Sequence, residues 1–174
     1  MCMFIAAMVP GANAIQASDA VAIASENAEG NISLPTNIHC TIKFIGEIDH
    51  SKCVLIASRI SALARITAPF RIATDRWAML RGGTLVAEIG QGRDRCVALM
   101  HSVERSVETE GIAKEAREKR PHITVGRKVR LKKPLEQWPP PPFDLSVGAL
   151  TLMQSVREHG MLVYKPFSSS VLRG

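Results

Sequence analysis

Asn37-Ile38-His39-Cys40-Thr41-Ile42-Lys43-Phe44-Ile45-Gly46 is a β-branched, apolar run in which a histidine and a threonine stand two residues apart. Such a run reads as a strand, and a spacing of two sends both polar side chains out on one face. Cys40, between them, then points the other way, into a core. The same arrangement returns in the second half of the chain, in Arg120-Pro121-His122-Ile123-Thr124-Val125-Gly126-Arg127, with Ile123 in the place of Cys40. A single His-x-Thr is a weak signal, because a lone strand histidine is more often structural. Two copies in one strand context predict two related lobes whose polar faces meet in a single cleft.

The flanking sequence supplies the rest of an α+β chain. Cys2 to Val9 reads as a buried strand ended by Pro10-Gly11, and Ala12 to Ala28 as an alanine-rich helix with apolar Ile15, Val21 and Ile23, closed at Gly30-Asn31. After the first motif strand, Ile38 to Ile45, Asp49-His50-Ser51 caps a helix through about Ile66 with Val54, Leu55, Ile60, Leu63 and Ile66 toward the core. Phe70 to Leu80 and Thr84 to Ile89 form a hairpin around Arg81-Gly82-Gly83, and Asp94 to Thr109 a helix apolar at Val97, Met100, Val103 and Val107. Lys114 to Lys119 is a short charged piece before the second motif strand. Leu131 to Pro142 is basic, then proline-rich, and reads as an extended connector. Phe143 to Met153 and Met161 to Phe167 close the chain as strands on either side of Glu158-His159-Gly160. The mixture predicts antiparallel sheets backed by helices on their outer faces.

At 174 residues, with 46% hydrophobic and 22% charged residues, the chain has ordinary globular composition and a length suited to one full-sized domain. If two lobes form, they share an interior. A net charge of +6 favours polyanionic partners, nucleic acid first and an anionic membrane surface second. Cys2, Cys40, Cys53 and Cys96 are scattered without metal-ligand spacing, so reduced thiols and a cytoplasmic setting are expected. The Met1 to Val9 run lacks a basic flank and is too short to span a bilayer; no membrane association is expected.

Two imidazoles facing one another can work as a pair, one taking a proton while the other gives one. Reaction at a phosphodiester needs that pairing, to activate the attacking oxygen and to protonate the leaving one. Thr41 and Thr124, on the same faces, can donate hydroxyl hydrogen bonds to the non-bridging phosphate oxygens and hold the charge of the transition state. No carboxylate or histidine cluster stands at metal-ligand spacing, so a metal-free mechanism without cofactor is the simpler expectation. Arg127 follows Thr124 by an odd step and faces away from the cleft on a regular strand; a bulge at Gly126 would turn it inward.

These residues resemble the signature of the two-histidine (2H) phosphoesterase superfamily. The words from Asn37 to Glu47 and from Arg120 to Arg127 most resemble its RNA 2',3'-cyclic phosphodiesterase branch, the LigT/ThpR-like proteins of the 2'-5' RNA ligase family. The similarity extends to the opening Met3-Phe4-Ile5-Ala6-Ala7 strand, to Pro69-Phe70 and to a closing strand around Val163-Tyr164. It implies two pseudo-symmetric lobes of antiparallel sheet around a central cleft, as one bilobal domain over residues 1–174. It also implies His39 as general acid on the leaving ribose 3' oxygen, His122 as general base for water, and Thr41, Thr124 and Arg127 on the phosphate. The implied substrate is RNA with 2',3'-cyclic phosphate ends, handled by a monomer with no obligate protein partner. The same family joins or cleaves 2'-5' linkages, and a small cyclic nucleotide is a further substrate class; a non-catalytic RNA-binding module is the alternative of another kind. Two features depart from the family: Gly126 stands where alanine is more usual, and the Arg71 to Ile89 hairpin is shorter and lacks a Pro-Arg-x-x-Trp-like strand.

Other polar and aromatic residues carry weaker signals. His50, His101 and His159 fall in a cap, on a helix and in a turn, and are assigned no function. The basic stretch from Lys114 to Lys133 divides evenly between a solvated face and an RNA-backbone track. Trp77, Trp138 and Phe44 are read as core residues or loop anchors before base-stacking platforms.

Overall fold

The chain threads back and forth between two groups of antiparallel strands that make up one sheet. In the computed structural model, which describes residues 1–8 and 14–174, the strands are β1 (Cys2–Met8), β2 (Ala28–Ile32), β3 (His39–Glu47), β4 (Phe70–Leu80), β5 (Thr84–Gln91), β6 (His122–Leu131), β7 (Asp144–Val147), β8 (Ala149–Glu158) and β9 (Met161–Val171). The helices are α1 (Ala14–Asn27), α2 (His50–Arg65) and α3 (Arg93–Glu108). The strand order across the sheet is β7-β4-β5-β6-β3-β1-β8-β9, with β2 also paired to β6. Val9, the Pro10-Gly11 turn and the helix start expected at Ala12 lie outside the described residues.

This order makes an α+β fold of two lobes, β3-β1-β8-β9 and β7-β4-β5-β6-β2. They are joined where β3 meets β6 through the single pair Cys40 and Ile123. Directly opposed residues share a face, so Cys40 and Ile123 both point into the core, where they are 1% and 0% exposed. One apolar cluster containing both residues runs beneath the two lobes and takes in residues of all three helices. The opposite face of each motif strand is left for the cleft.

α3 buries Met100, Val103 and Val107 as expected, whereas α1 and α2 reach the core partly through smaller residues than the sequence pattern predicts. On α1 the buried positions are Ala17, Ala20, Ala24 and Asn27, while Ile15 is exposed. On α2 they are Cys53, Ile56, Ile60 and Ala64, while Val54, Leu55 and Ile66 face solvent. Both sets follow helical spacing, and alanine or cysteine at the contact lets a helix approach the strands closely; of the expected α2 stripe Ile60 is buried and Leu63 packs on the core, while the rest faces away. Asp49 caps α2 as expected, its carboxylate accepting from the Lys52 amide at 2.8 Å. α3 starts at Gly92, whose φ of +77° is left-handed and whose added Cβ would lie 2.2 Å from the Arg71 carbonyl oxygen, so only glycine fits there. Among the described residues no helix is long and apolar enough to cross a membrane.

Candidate active site

The pairing of β3 with β6 sets the site. With Cys40 opposite Ile123, antiparallel register puts His39 across from Thr124 and Thr41 across from His122. Two half-sites thus face each other about a pseudo-two-fold through the Cys40–Ile123 pair. Strand β5 supplies the wall beyond β6, with Glu88 opposite His122 and Val86 opposite Thr124. Strand β1 supplies the wall beyond β3, with Ala6 opposite Thr41.

Both imidazoles are held alike. His39 Nδ1 lies 2.7 Å from the Asn37 carbonyl oxygen and His122 Nδ1 2.6 Å from that of Arg120, each two residues earlier in the chain. A carbonyl only accepts, so Nδ1 carries the hydrogen and Nε2 is left to the cleft. His39 Nε2 then accepts from the Thr41 hydroxyl at 3.0 Å. The residues that provide these carbonyls are anchored in turn. The Asn37 side-chain amide donates to the Leu162 carbonyl at 2.8 Å, and the Arg120 guanidinium binds Glu88. Sequence reasoning missed Asn37 and Arg120 because a backbone carbonyl leaves no mark on residue type.

The surroundings of the two rings differ. His39 is buried at 8% exposure in an aromatic corner, with ring centroids 4.9 Å from Phe4 and 5.1 Å from Tyr164. Burial pushes the His39 imidazole below its ordinary range; the Asn37 carbonyl pulls it up, and the positive charges of Arg127 and His122 push it further down. His122 is half-buried and is lowered first by burial. The Arg120 carbonyl and the Glu88 charge raise it, and the Arg120 and Arg127 guanidiniums lower it.

Arg127 is turned inward, although the bulge falls one residue before the expected Gly126. Val86 pairs with Thr124 and Leu85 with Gly126, which leaves Val125 as the extra residue. Both Val125 and Gly126 then face the core, and Arg127 regains the cleft side. The first motif repeats the device: Ala6 pairs with Thr41 and Ile5 with Lys43, leaving Ile42 extra and returning Phe44 to the face of Phe4. Phe44 is 58% exposed there, so it is neither core nor anchor, whereas Trp77 and Trp138 are buried against each other with centroids 5.6 Å apart.

A buried ionic knot lies behind the site. Glu104 Oε1 of α3 accepts from Lys43 Nζ at 3.0 Å, from Lys119 Nζ at 2.9 Å and from the Glu115 amide at 2.7 Å. Lys119 therefore belongs to neither a solvated face nor an RNA track; it fixes the segment that leads into Arg120-Pro121-His122. Arg127, Lys128 and Arg130 of the same basic stretch are exposed. Cys40 is a buried thiol, raised well above its ordinary range first by its hydrogen bond with Cys96 and then by burial. All four cysteines are free. A cavity of about 430 Å³ adjoins the His122 half-site, lined by Arg76, Glu88, Arg93 and Arg120 among others. Among the described residues no three His, Cys, Asp or Glu side chains gather as a metal site.

The sequence model of the 2'-5' RNA ligase superfamily matches residues 26–159, a span that contains both His-x-Thr strands. No curated protein matches the chain in sequence. The crystal structure of E. coli LigT complexed with 3'-AMP superposes with a TM-score of 0.86 at 21% identity, over 99% of this chain and 98% of that one. The protein TT0787 of Thermus thermophilus gives 0.77 at 22%, over 100% and 99%. The MHV ns2 PDE domain gives 0.59 at 17%, over 84% and 87%. At these identities the structural likeness speaks for the fold.

Proposed function

This chain belongs to the 2'-5' RNA ligase superfamily, a group of 2H phosphoesterases, and we propose that it opens the terminal 2',3'-cyclic phosphate of RNA to a 2'-phosphate. The observation that carries the reading is the pair of imidazoles presented by adjacent strands, each with Nδ1 tied to a carbonyl and Nε2 turned to one cleft. Water attacks phosphorus as His122 Nε2 takes its proton; the bond from phosphorus to the ribose 3' oxygen breaks as protonated His39 gives its proton to that oxygen. A 2'-phosphate and a free 3'-hydroxyl remain, and the two rings exchange their protons with solvent. The Thr41 and Thr124 hydroxyls and the Arg127 guanidinium hold the non-bridging oxygens as charge builds on them.

The surroundings of the rings support this division. His39 is buried against Phe4 and Tyr164, where an imidazolium is costly and gives up its proton readily. His122 stands beside Glu88 and tolerates the charge that it gains as base. Crystal structures of E. coli LigT with 3'-AMP and with phosphate agree with a cleft that takes such groups. A ribose hydroxyl in place of water as nucleophile would give 2'-5' joining, the activity in the superfamily's name.

The test is turnover of an oligonucleotide ending in a 2',3'-cyclic phosphate, in EDTA. A 2'-phosphate product is expected, with His39→Ala and His122→Ala each slower by roughly 10²–10⁴-fold. Full activity in either variant, or strict metal dependence, overturns the mechanism. Salt-sensitive binding that survives both substitutions, with no turnover by the unaltered protein, would make the chain an RNA-binding module.

A further inference from the structure

Glu88 is a buried carboxylate whose part in the site is set by its place in the sheet. It lies directly opposite His122 on the cleft face of β5 and is 3% exposed. Its two oxygens are taken by separate guanidiniums: Oε2 accepts from Arg76 Nε at 2.5 Å and Oε1 from Arg120. Arg120 is the residue whose carbonyl holds His122 Nδ1. One carboxylate thus braces the residue that orients the ring and stands next to the ring itself. We propose that Glu88 is the positioning residue of the His122 half-site, holding Arg120 in place and offsetting the positive charge gathered around the imidazole.

That charge comes from every side. Arg120 precedes the ring, Arg127 follows it on β6, His39 faces it from β3, and Arg76 reaches Glu88 from β4. Glu88 is the carboxylate beside the ring in this set. Burial works against its ionisation, but Arg76 and Arg120 outweigh burial and hold its carboxyl below the ordinary range. Its two guanidinium partners thus favour the ionised carboxylate beside the ring. A base that gains positive charge as it takes a proton needs such a neighbour, as a serine protease histidine needs its aspartate. His39 has Asn37, Phe4 and Tyr164 in the corresponding places and no carboxylate among the described residues that hold it; the two half-sites differ at this point.

The role of Glu88 in turnover rests on the reading of His122 as base, but its effect on the ring does not, so the test separates the two. Proton titration of the histidine resonances by NMR, with no substrate present, should show the His122 midpoint falling by roughly one pH unit in Glu88→Gln, with His39 moving much less. Arg76→Gln, which alters a 71%-exposed side chain and is tolerated even if the Glu88 variant does not fold, should move it upward. Glu29→Gln, which breaks the exposed pair with Arg130, should move neither. In turnover, the limb of the kcat/KM profile that His122 sets should follow its midpoint in each variant. An unmoved His122 midpoint in both Glu88→Gln and Arg76→Gln overturns the proposal. Shifted midpoints without catalysis would leave Glu88's electrostatic role standing and overturn the phosphodiesterase reading.

Discussion

Phe44 and Arg127 occupy equivalent places in the two half-sites: each follows its motif histidine by five residues, and each is returned to the cleft face by an extra residue, Ile42 or Val125. One position carries a cation suited to phosphate, the other an exposed aromatic ring suited to a base. Phe44→Ala should therefore raise KM for an oligonucleotide substrate by roughly tenfold, the lower part of the range for one stacked base, with kcat little changed. A cyclic phosphate without a flanking base should be indifferent to the change. Equal effects on both substrates would remove Phe44 from the binding surface.

Arg127 should govern the pH profile. Both histidines lie below the ordinary imidazole value of about 6.5. The working state of the pair holds one proton, and its population peaks between the two values. The optimum of kcat/KM should then fall on the acid side of about pH 6.5. Arg127→Gln removes a positive charge that disfavours both imidazolium forms, so both midpoints rise and the optimum moves to higher pH while phosphate is held less tightly. A profile that keeps its position in Arg127→Gln would show that this guanidinium does not act on the rings.

The pair formed by Cys40 and Ile123 is the joint between the half-sites, and Ile123 is completely buried. Ile123→Ala should cost roughly 2–5 kcal/mol of stability through the cavity it leaves, read by denaturant unfolding. If the joint also sets the spacing of the rings, kcat should fall well beyond the loss of folded protein, because displacement of about 1 Å can cost on the order of a hundredfold. Ile123→Val should be mild in both measurements. Loss of stability with unchanged kcat in the folded fraction would assign Ile123 to packing alone.

The motif strands were legible because a polar pair at a spacing of two inside β-branched sequence has few other readings. Strand β2 was not: Ala28-Glu29-Gly30-Asn31-Ile32 is polar, contains a glycine, and looks like the end of a helix until β6 is there to pair with it. Trp138 is buried as a core residue or loop anchor should be, but its partners were not visible: its indole packs on Trp77 and donates to the Lys133 carbonyl at 3.2 Å. Lys43 and Lys119 have the least buried of side-chain types, and their partners from distant sequence, Glu104 first, explain their burial. Glu88 gave no signal within its own strand, because Arg76 and Arg120 reach it from elsewhere in the chain. What escaped the sequence is what tertiary partners decide, and most of it lies around the histidines.

The Glu104 knot should make stability depend on acid pH. Burial alone would raise the Glu104 carboxyl, but the Glu115 amide and the Lys119 and Lys43 ammoniums outweigh it and hold it at about 2, against 4.5 for a free side chain. A carboxyl lowered by folding stabilises the fold above its unfolded value, and that contribution is lost as pH falls from about 4.5 toward 2. The difference corresponds to about 3 kcal/mol. Glu104→Gln leaves two lysines, 2% and 4% exposed, with only the longer 3.5 Å pairs to the half-exposed Glu115, and should cost roughly 3–5 kcal/mol at neutral pH. Unfolding free energies measured from pH 6 to pH 2 should decline less steeply in the variant than in the unaltered protein. Lys119 stands three residues before His122 and Lys43 four after His39, so loosening the knot should also slow turnover at neutral pH in the folded fraction. Parallel stability curves would place the acid sensitivity elsewhere; unchanged turnover would separate the knot from the site it underlies.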